Sequence, residues 1–229
     1  MQFDSNSQLS SETSPAGSPV ESVSESRSAE NQEHLPFEDA DDYRAATYRV
    51  LARVFRAAPD GELLRSIAEC GDDEANGSKL TSAWTDLAEA SRRADPAKLD
   101  HEFHALFIGL GRGEVLPYAS WYLSGFLLDK PLARLRADLD ELGIERAENV
   151  PESEDHIAAI CETMALLVDS QAGIDLAGQK KFFDQHLQPW FSRFLADVKT
   201  ANNADFYRQV ADLGQRFFEF EESWLSLPQ

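Results

Sequence analysis

From Asp39 to the C-terminus the apolar residues recur at helical spacing, and no stretch sustains a two-residue alternation rich in Val, Ile and Thr. This pattern predicts an all-α domain. Its clearest instance is the series Ile157, Ile160, Cys161, Met164, Leu167 and Val168, spaced i, i+3, i+4, i+7, i+10 and i+11. Ser153-Glu154-Asp155 ahead of it supplies a candidate N-cap and acids for the first turn. Tyr43, Thr47, Val50, Leu51 and Val54 form an earlier stripe behind the acidic start Glu38 to Asp42, and Pro59-Asp60-Gly61 stops it.

Further helices are expected from Gly61 to Glu69, around Leu80 to Arg93, and from Pro96 through Phe107, where Gly109 to Gly113 breaks the chain. Residues 71–78 read as a polar loop. Leu132, Leu135, Leu139 and Leu142 mark a helix closed by Gly143. Three more helices are expected at about Leu176 to Leu187, Pro189 to Lys199 and Asp205 to Trp224; their Phe, Tyr and Trp residues make this part the aromatic half of the core. Val115 to Leu123, leading through Phe126 to Leu128, is an unusually apolar connection, so it is either packed or binds something.

Charge narrows the functional classes. The chain of 229 residues carries 21 Lys and Arg against 41 Asp and Glu, a net of −20. A nucleic-acid binder needs a basic stripe that releases counterions, and none is evident, so nucleic acid and stable association with an anionic membrane are excluded as partners. Residues 1–36 hold ten Ser, one aromatic and a net of −5, a composition too poor in apolar surface to offset ordering entropy. They are expected to be a disordered acidic tail, leaving residues 37–229 as a single domain of net −15. Cys70 and Cys161 belong to no metal or disulfide spacing. With neither a secretory n- and h-region nor an apolar run long enough to span a bilayer, a soluble cytoplasmic protein is expected.

Few polar constellations suggest chemistry. His101 and His104 flank Glu102, but a metalloprotease helix spaces its histidines four apart, and no third ligand stands out. Gly109 to Gly113 lacks the Gly-Lys-Ser/Thr of a phosphate loop and reads as a helix stop with Arg112 exposed. Neither cysteine has a nucleophile signature, and no cofactor or metal is implied. Asp155-His156, at the head of a strongly apolar helix, is the most site-like pair; the residues alone leave open whether it binds or merely decorates the first turn. Pro117, Tyr118, Ser120, Trp121 and Tyr122 raise the same question, since aromatic rings with polar tips suit both a groove and a core.

Three separated segments match one pattern. Glu102-Phe103-His104-Ala105-Leu106-Phe107-Ile108-Gly109 with Pro117-Tyr118-Ala119-Ser120-Trp121-Tyr122 is similar to E-[YF]-x-x-L-F-x-G and P-Y-x-S-x-Y. Glu152-Ser153-Glu154-Asp155-His156-Ile157 is similar to E-P-x-D-H-[IL], with Ser153 at the proline position, and Phe182 to Trp190 to F-x-x-x-H-L-x-x-W. On these residues the chain resembles the TorD/DmsD family of redox-enzyme maturation chaperones. The resemblance implies an all-helical, non-catalytic protein that binds the twin-arginine leader and the apo form of a molybdenum- or tungsten-containing oxidoreductase catalytic subunit until its cofactor is inserted, delaying export. By the same resemblance Asp155 and His156, with Pro117, Tyr118, Ser120, Trp121 and Tyr122, belong to the guest groove, and Glu102 and Phe107 support or edge it. The run Glu102 to Leu142 looks most like members associated with formate dehydrogenases.

A domain of net −15 suits a guest with paired arginines, which need carboxylate partners, and an aromatic groove suits the apolar stretch that follows them. Two alternatives are a small metal-dependent hydrolase using Asp155-His156 or His101/His104, and an adaptor indifferent to the leader. A homodimer by helix exchange is compatible with long loops, though nothing in the sequence requires it.

Overall fold

The computed structural model describes residues 37–70, 78–109, 112–146, 151–169 and 173–227. Among these, ten α-helices follow in order: α1 (Phe37–Arg56), α2 (Gly61–Glu69), α3 (Lys79–Arg93), α4 (Pro96–Phe103), α5 (Ala119–Ser124), α6 (Lys130–Glu141), α7 (Ile157–Val168), α8 (Leu176–His186), α9 (Phe191–Thr200) and α10 (Phe206–Trp224). The all-α expectation holds. The predicted disordered tail and all but Ser78 of the polar loop at 71–78 lie outside the described residues.

Helix α7 is the centre of the fold. The spacing suggested one apolar face, yet nine of its twelve residues are buried, leaving only the stripe Ala159, Glu162 and Leu166 more open. A helix apolar on most sides must be covered on most sides. Helix α1 packs along it, α8 touches it, and α10 joins α1, α3 and α9. Phe182, Phe183, Trp190, Phe191, Phe194, Phe206, Tyr207, Phe217 and Phe218 are all buried, so the aromatic half of the core lies where the sequence placed it.

A polar clamp ties three helices. Arg44 on α1, fully buried, gives Glu221 on α10 two hydrogen bonds, Nε at 2.7 Å and Nη2 at 3.0 Å, and also reaches Asp41 and Gln179 on α8. Tyr48 donates to Glu221 at 2.9 Å. Every charge in this cluster has a partner, which is the condition for burying one without a large penalty.

The helix expected from Pro96 to Phe107 changes winding partway: His104–Ile108 is a π-turn closed by Gly109 N–H donating to His104 O at 2.7 Å. Gly109 has φ +62°, and a Cβ there would meet Arg112 O at 2.1 Å; one at Gly113 would meet Leu106 O at 2.5 Å. Backbone contact therefore requires glycine at both positions. The apolar connection also differs from expectation, since Ala119–Ser124 is helical.

Candidate functional site

The segments bearing Tyr118 and His156 meet in a single antiparallel bridge. Ala119 N–H donates to Asp155 O at 2.9 Å and Ile157 N–H to Pro117 O at 2.8 Å. The Asp155 carboxylate is fully buried and points away from its own helix: Oδ2 accepts Ser120 N–H at 2.9 Å, and Oδ1 accepts the Ser153 hydroxyl at 2.5 Å. One residue thus satisfies the first two N–H groups of α5. The expected cap of α7 by Ser153 or Asp155 is replaced by His156, whose Nδ1 accepts Ala158 N–H at 3.1 Å. Ser153, at the family's proline position, instead orients Asp155.

Burial pushes the His156 imidazole down to about 4, with Arg56 adding to the effect and Asp155 opposing it. It is neutral at pH 7 and, with Nδ1 accepting, carries its proton on Nε2. Its ring meets Tyr118 edge-on at 5.0 Å. Pro117 and Ser120 are buried, whereas Tyr118, Trp121 and Tyr122 are half-buried. Arg112 is exposed as expected and lies 4.4 Å over the Trp121 ring. Tyr122 stacks on Trp190 at 5.5 Å and donates to Asp197 at 2.8 Å; burial first, then that carboxylate, raises its pKa.

Beside this junction opens a cavity of about 760 Å³ between α5, α6, α7 and the α8–α9 turn. Asp129, Asp138, Lys130 and Arg134 line it with Leu123, Pro131 and His186, and Asp155 borders it while closed to water. Asp129 is held below the usual carboxylate range by the Lys130 N–H and the Ser124 hydroxyl. His186 Nε2 donates to Asp138 Oδ2 at 2.6 Å, linking α8 to α6 across the wall; burial, outweighing Asp138, lowers the pKa of His186. At the rim Phe126, Leu127 and Leu128 are 72, 47 and 69% exposed. These three consecutive exposed apolar residues beside the cleft make a candidate interaction surface.

The structure therefore brings together Asp155, His156, Pro117, Tyr118, Ser120, Trp121 and Tyr122. Glu102 and Phe107 lie elsewhere. Glu102 accepts the N–H groups of Asp205, Phe206 and Tyr207 at 2.7, 3.2 and 2.9 Å, capping α10 beside a separate cavity of about 250 Å³. Phe107 is buried against Phe55, Phe103 and Tyr207, an internal packing residue and not an edge of the groove. Missing from the sequence-derived set are Asp129, Asp138, His186 and Phe126 to Leu128. His186 stood inside the third matched segment, and the rim residues inside the apolar connection; Asp138 gave no signal beyond its place on the polar face of α6. His101 and His104 are exposed, and among the described residues no three His, Cys, Asp or Glu side chains converge as a metal site. Among the same residues no helix is long and apolar enough to cross a membrane.

Comparison with known proteins gives consistent matches. The family model described as nitrate reductase delta subunit matches residues 73–196. The chaperone protein TorD of Vibrio parahaemolyticus is 25% identical over 72% of this chain and 81% of its own length. TorD of Shewanella pealeana is 23% identical over 87% of this chain and 97% of its own. TorD of Vibrio cholerae is 30% identical over 56% of this chain and 62% of its own. A solved structure, that of a candidate redox enzyme maturation protein from Archaeoglobus fulgidus, superposes with a TM-score of 0.53 over 77% of this chain and 92% of that one, at 18% identity, and so shares its fold.

Proposed function

Because this chain belongs to the TorD family of redox-enzyme maturation chaperones, whose members it matches along most of its length, we propose that its guest is the leader of an apo molybdenum- or tungsten-containing oxidoreductase, bound in the groove beside the Asp155-His156 signature. Holding that apoenzyme in the cytoplasm until its cofactor is inserted would delay its export. The observation that carries the reading is the adjacency of two surfaces. Asp129 and Asp138 open into the cavity, with Lys130 and Arg134 beside them, and Phe126 to Leu128 stand exposed at its rim. A leader carries the complementary pair, basic residues followed by an apolar stretch, so one extended guest can satisfy both.

No bond is made or broken. Affinity comes from apolar burial and charge-assisted hydrogen bonds between guanidinium groups and carboxylates, interactions that weaken as salt rises. Trp121 and Tyr118 remain half-open beside the junction and give the guest aromatic surface. A formate dehydrogenase is the proposed client, on the resemblance of Glu102 to Leu142 alone.

The test is titration of the full chain with a synthetic twin-arginine peptide carrying roughly 7–15 apolar residues after the arginines. Saturable, salt-sensitive binding is expected, and Trp121→Ala should weaken it about tenfold, the loss of one well-packed aromatic contact, with little change in melting temperature. Equal losses of affinity and stability would instead place Trp121 in the core. In cells, deleting the leader from the client should abolish co-purification; unchanged association would favour the leader-independent adaptor.

A further inference from the structure

The rim residues Phe126 to Leu128 are joined to Asp155 by a short relay. Asp155 Oδ2 accepts the Ser120 N–H at 2.9 Å, and the buried Ser120 hydroxyl accepts the Leu128 N–H at 3.2 Å. The Ser124 hydroxyl donates to Ser120 O at 2.8 Å and reaches Phe126 O at 3.3 Å. Leu128 has φ +58°, a left-handed conformation rare for a residue with a side chain. The run is therefore held in a demanding backbone geometry by hydrogen bonds, while its side chains receive little burial in return.

The same bonds bear on Asp155. Both carboxylate oxygens are taken by internal donors and the residue is closed to water. A guest guanidinium needs an open carboxylate edge for bidentate contact, so reaching Asp155 would mean displacing Ser120 or Ser153. Asp129 and Asp138 also line the cavity and, unlike Asp155, stay partly open to water, Asp138 with one oxygen on His186.

We propose that Phe126, Leu127 and Leu128 are the contact for the apolar stretch of the leader, and that Asp155 is a positioning residue holding that contact through Ser120, with no bond of its own to the guest arginines. This rests on the leader-binding reading. The occupant follows from continuity: Leu123 and Ser124 before the run, and Asp129 and Lys130 after it, all line the cavity, so a chain whose basic end sits at Asp129 and Asp138 carries its apolar part across the rim.

Three variants of the full chain, Asp155→Asn, Phe126→Ser with Leu127→Ser, and their combination, would be titrated with the twin-arginine peptide and its twin-lysine counterpart. The rim variant and Asp155→Asn should each weaken binding about tenfold or more, and the combination no further than the weaker binder of the two, because both act on one contact. The loss from Asp155→Asn should be the same for both peptides. Amide exchange of Leu128 should quicken in Asp155→Asn without any guest present. Additive losses, which would show that the two sites act independently, or a loss from Asp155→Asn that is smaller with the lysine peptide, which would show direct arginine contact, would overturn the inference, as would unchanged Leu128 exchange. Should Asp155→Asn fold poorly, Ser120→Ala cuts the relay at its last link, and unchanged affinity there overturns it too. A wild-type chain that binds neither peptide refutes the leader reading itself, and that result is distinguishable because the exchange measurement needs no guest.

Discussion

Glu102 and Asp155 perform the same chemistry at two helix starts. Each carboxylate reaches from one segment to close the N-terminus of a distant helix, giving backbone N–H groups without an intrahelical partner an acceptor and the helix dipole a negative charge. What stands behind each cap differs. Glu102 starts α10, a helix of 19 residues with nine buried, already gripped by the aromatic core. Asp155 starts α5, six residues of which only Ala119 and Ser120 are buried, too short to persist without external support. The first cap trims a stable element; the second maintains a marginal one that ends in exposed apolar residues. The difference shows how identical local chemistry completes a core helix in one place and, on the proposal above, holds out a guest-binding surface in another.

The largest expected effect at the Asp155 junction is its dependence on pH. His156 titrates at about 4 when folded against 6.5 ordinarily, so the unfolded chain takes up a proton that the folded chain refuses. This contribution is fully present above about pH 6.5 and is lost as pH falls toward 4, a total of about 3 kcal/mol. His156→Asn keeps an acceptor for the α7 cap and should flatten the pH dependence of denaturant unfolding across that window. An unaltered profile would remove His156 as its source.

Next in size is Glu102→Ala. Loss of the acceptor for three N–H groups should cost about 2 kcal/mol by chemical denaturation, with peptide affinity kept within about twofold. Should affinity fall as far as in Asp155→Asn, the two caps do not differ in purpose and the contrast fails. Tyr122→Phe is expected to do least: it deletes the hydrogen bond to Asp197 but leaves the ring on Trp190, so the destabilisation should be about 1 kcal/mol or less. A larger loss would make the junction's stability depend on this surface bond more than on the cap of α5.

Much of this molecule is legible in one dimension. Helix starts at Asp60, Ser78 and Asp95 follow local rules, each side chain accepting an N–H two or three residues on. The aromatic half of the core is likewise a matter of spacing. The candidate site was legible in part: the Asp155-His156 signature and Pro117 to Tyr122 do meet, while Glu102 and Phe107 were drawn in by standing in the same matched segment. Nearness along the chain misled there, because α4 and the π-turn after it direct the Glu102 carboxylate to α10 and the Phe103 and Phe107 rings to the core.

The sequence by itself determined the longer helices, because amphipathic periodicity and capping act within a few residues, and it determined the acidic balance; the short α5 waited on the fold. Only the tertiary structure decided which carboxylates remain open. Asp155 meets Ser120 from 35 positions away, Glu102 meets Asp205 from 103, and Glu221 meets Arg44 from 177. In each case an acid takes the donor that the fold brings to it; for the fully buried Asp155 and Glu221, leaving either group unpaired would cost more than the bond returns. Asp129 and Asp138 are left facing the cavity, beside apolar residues that packing did not cover.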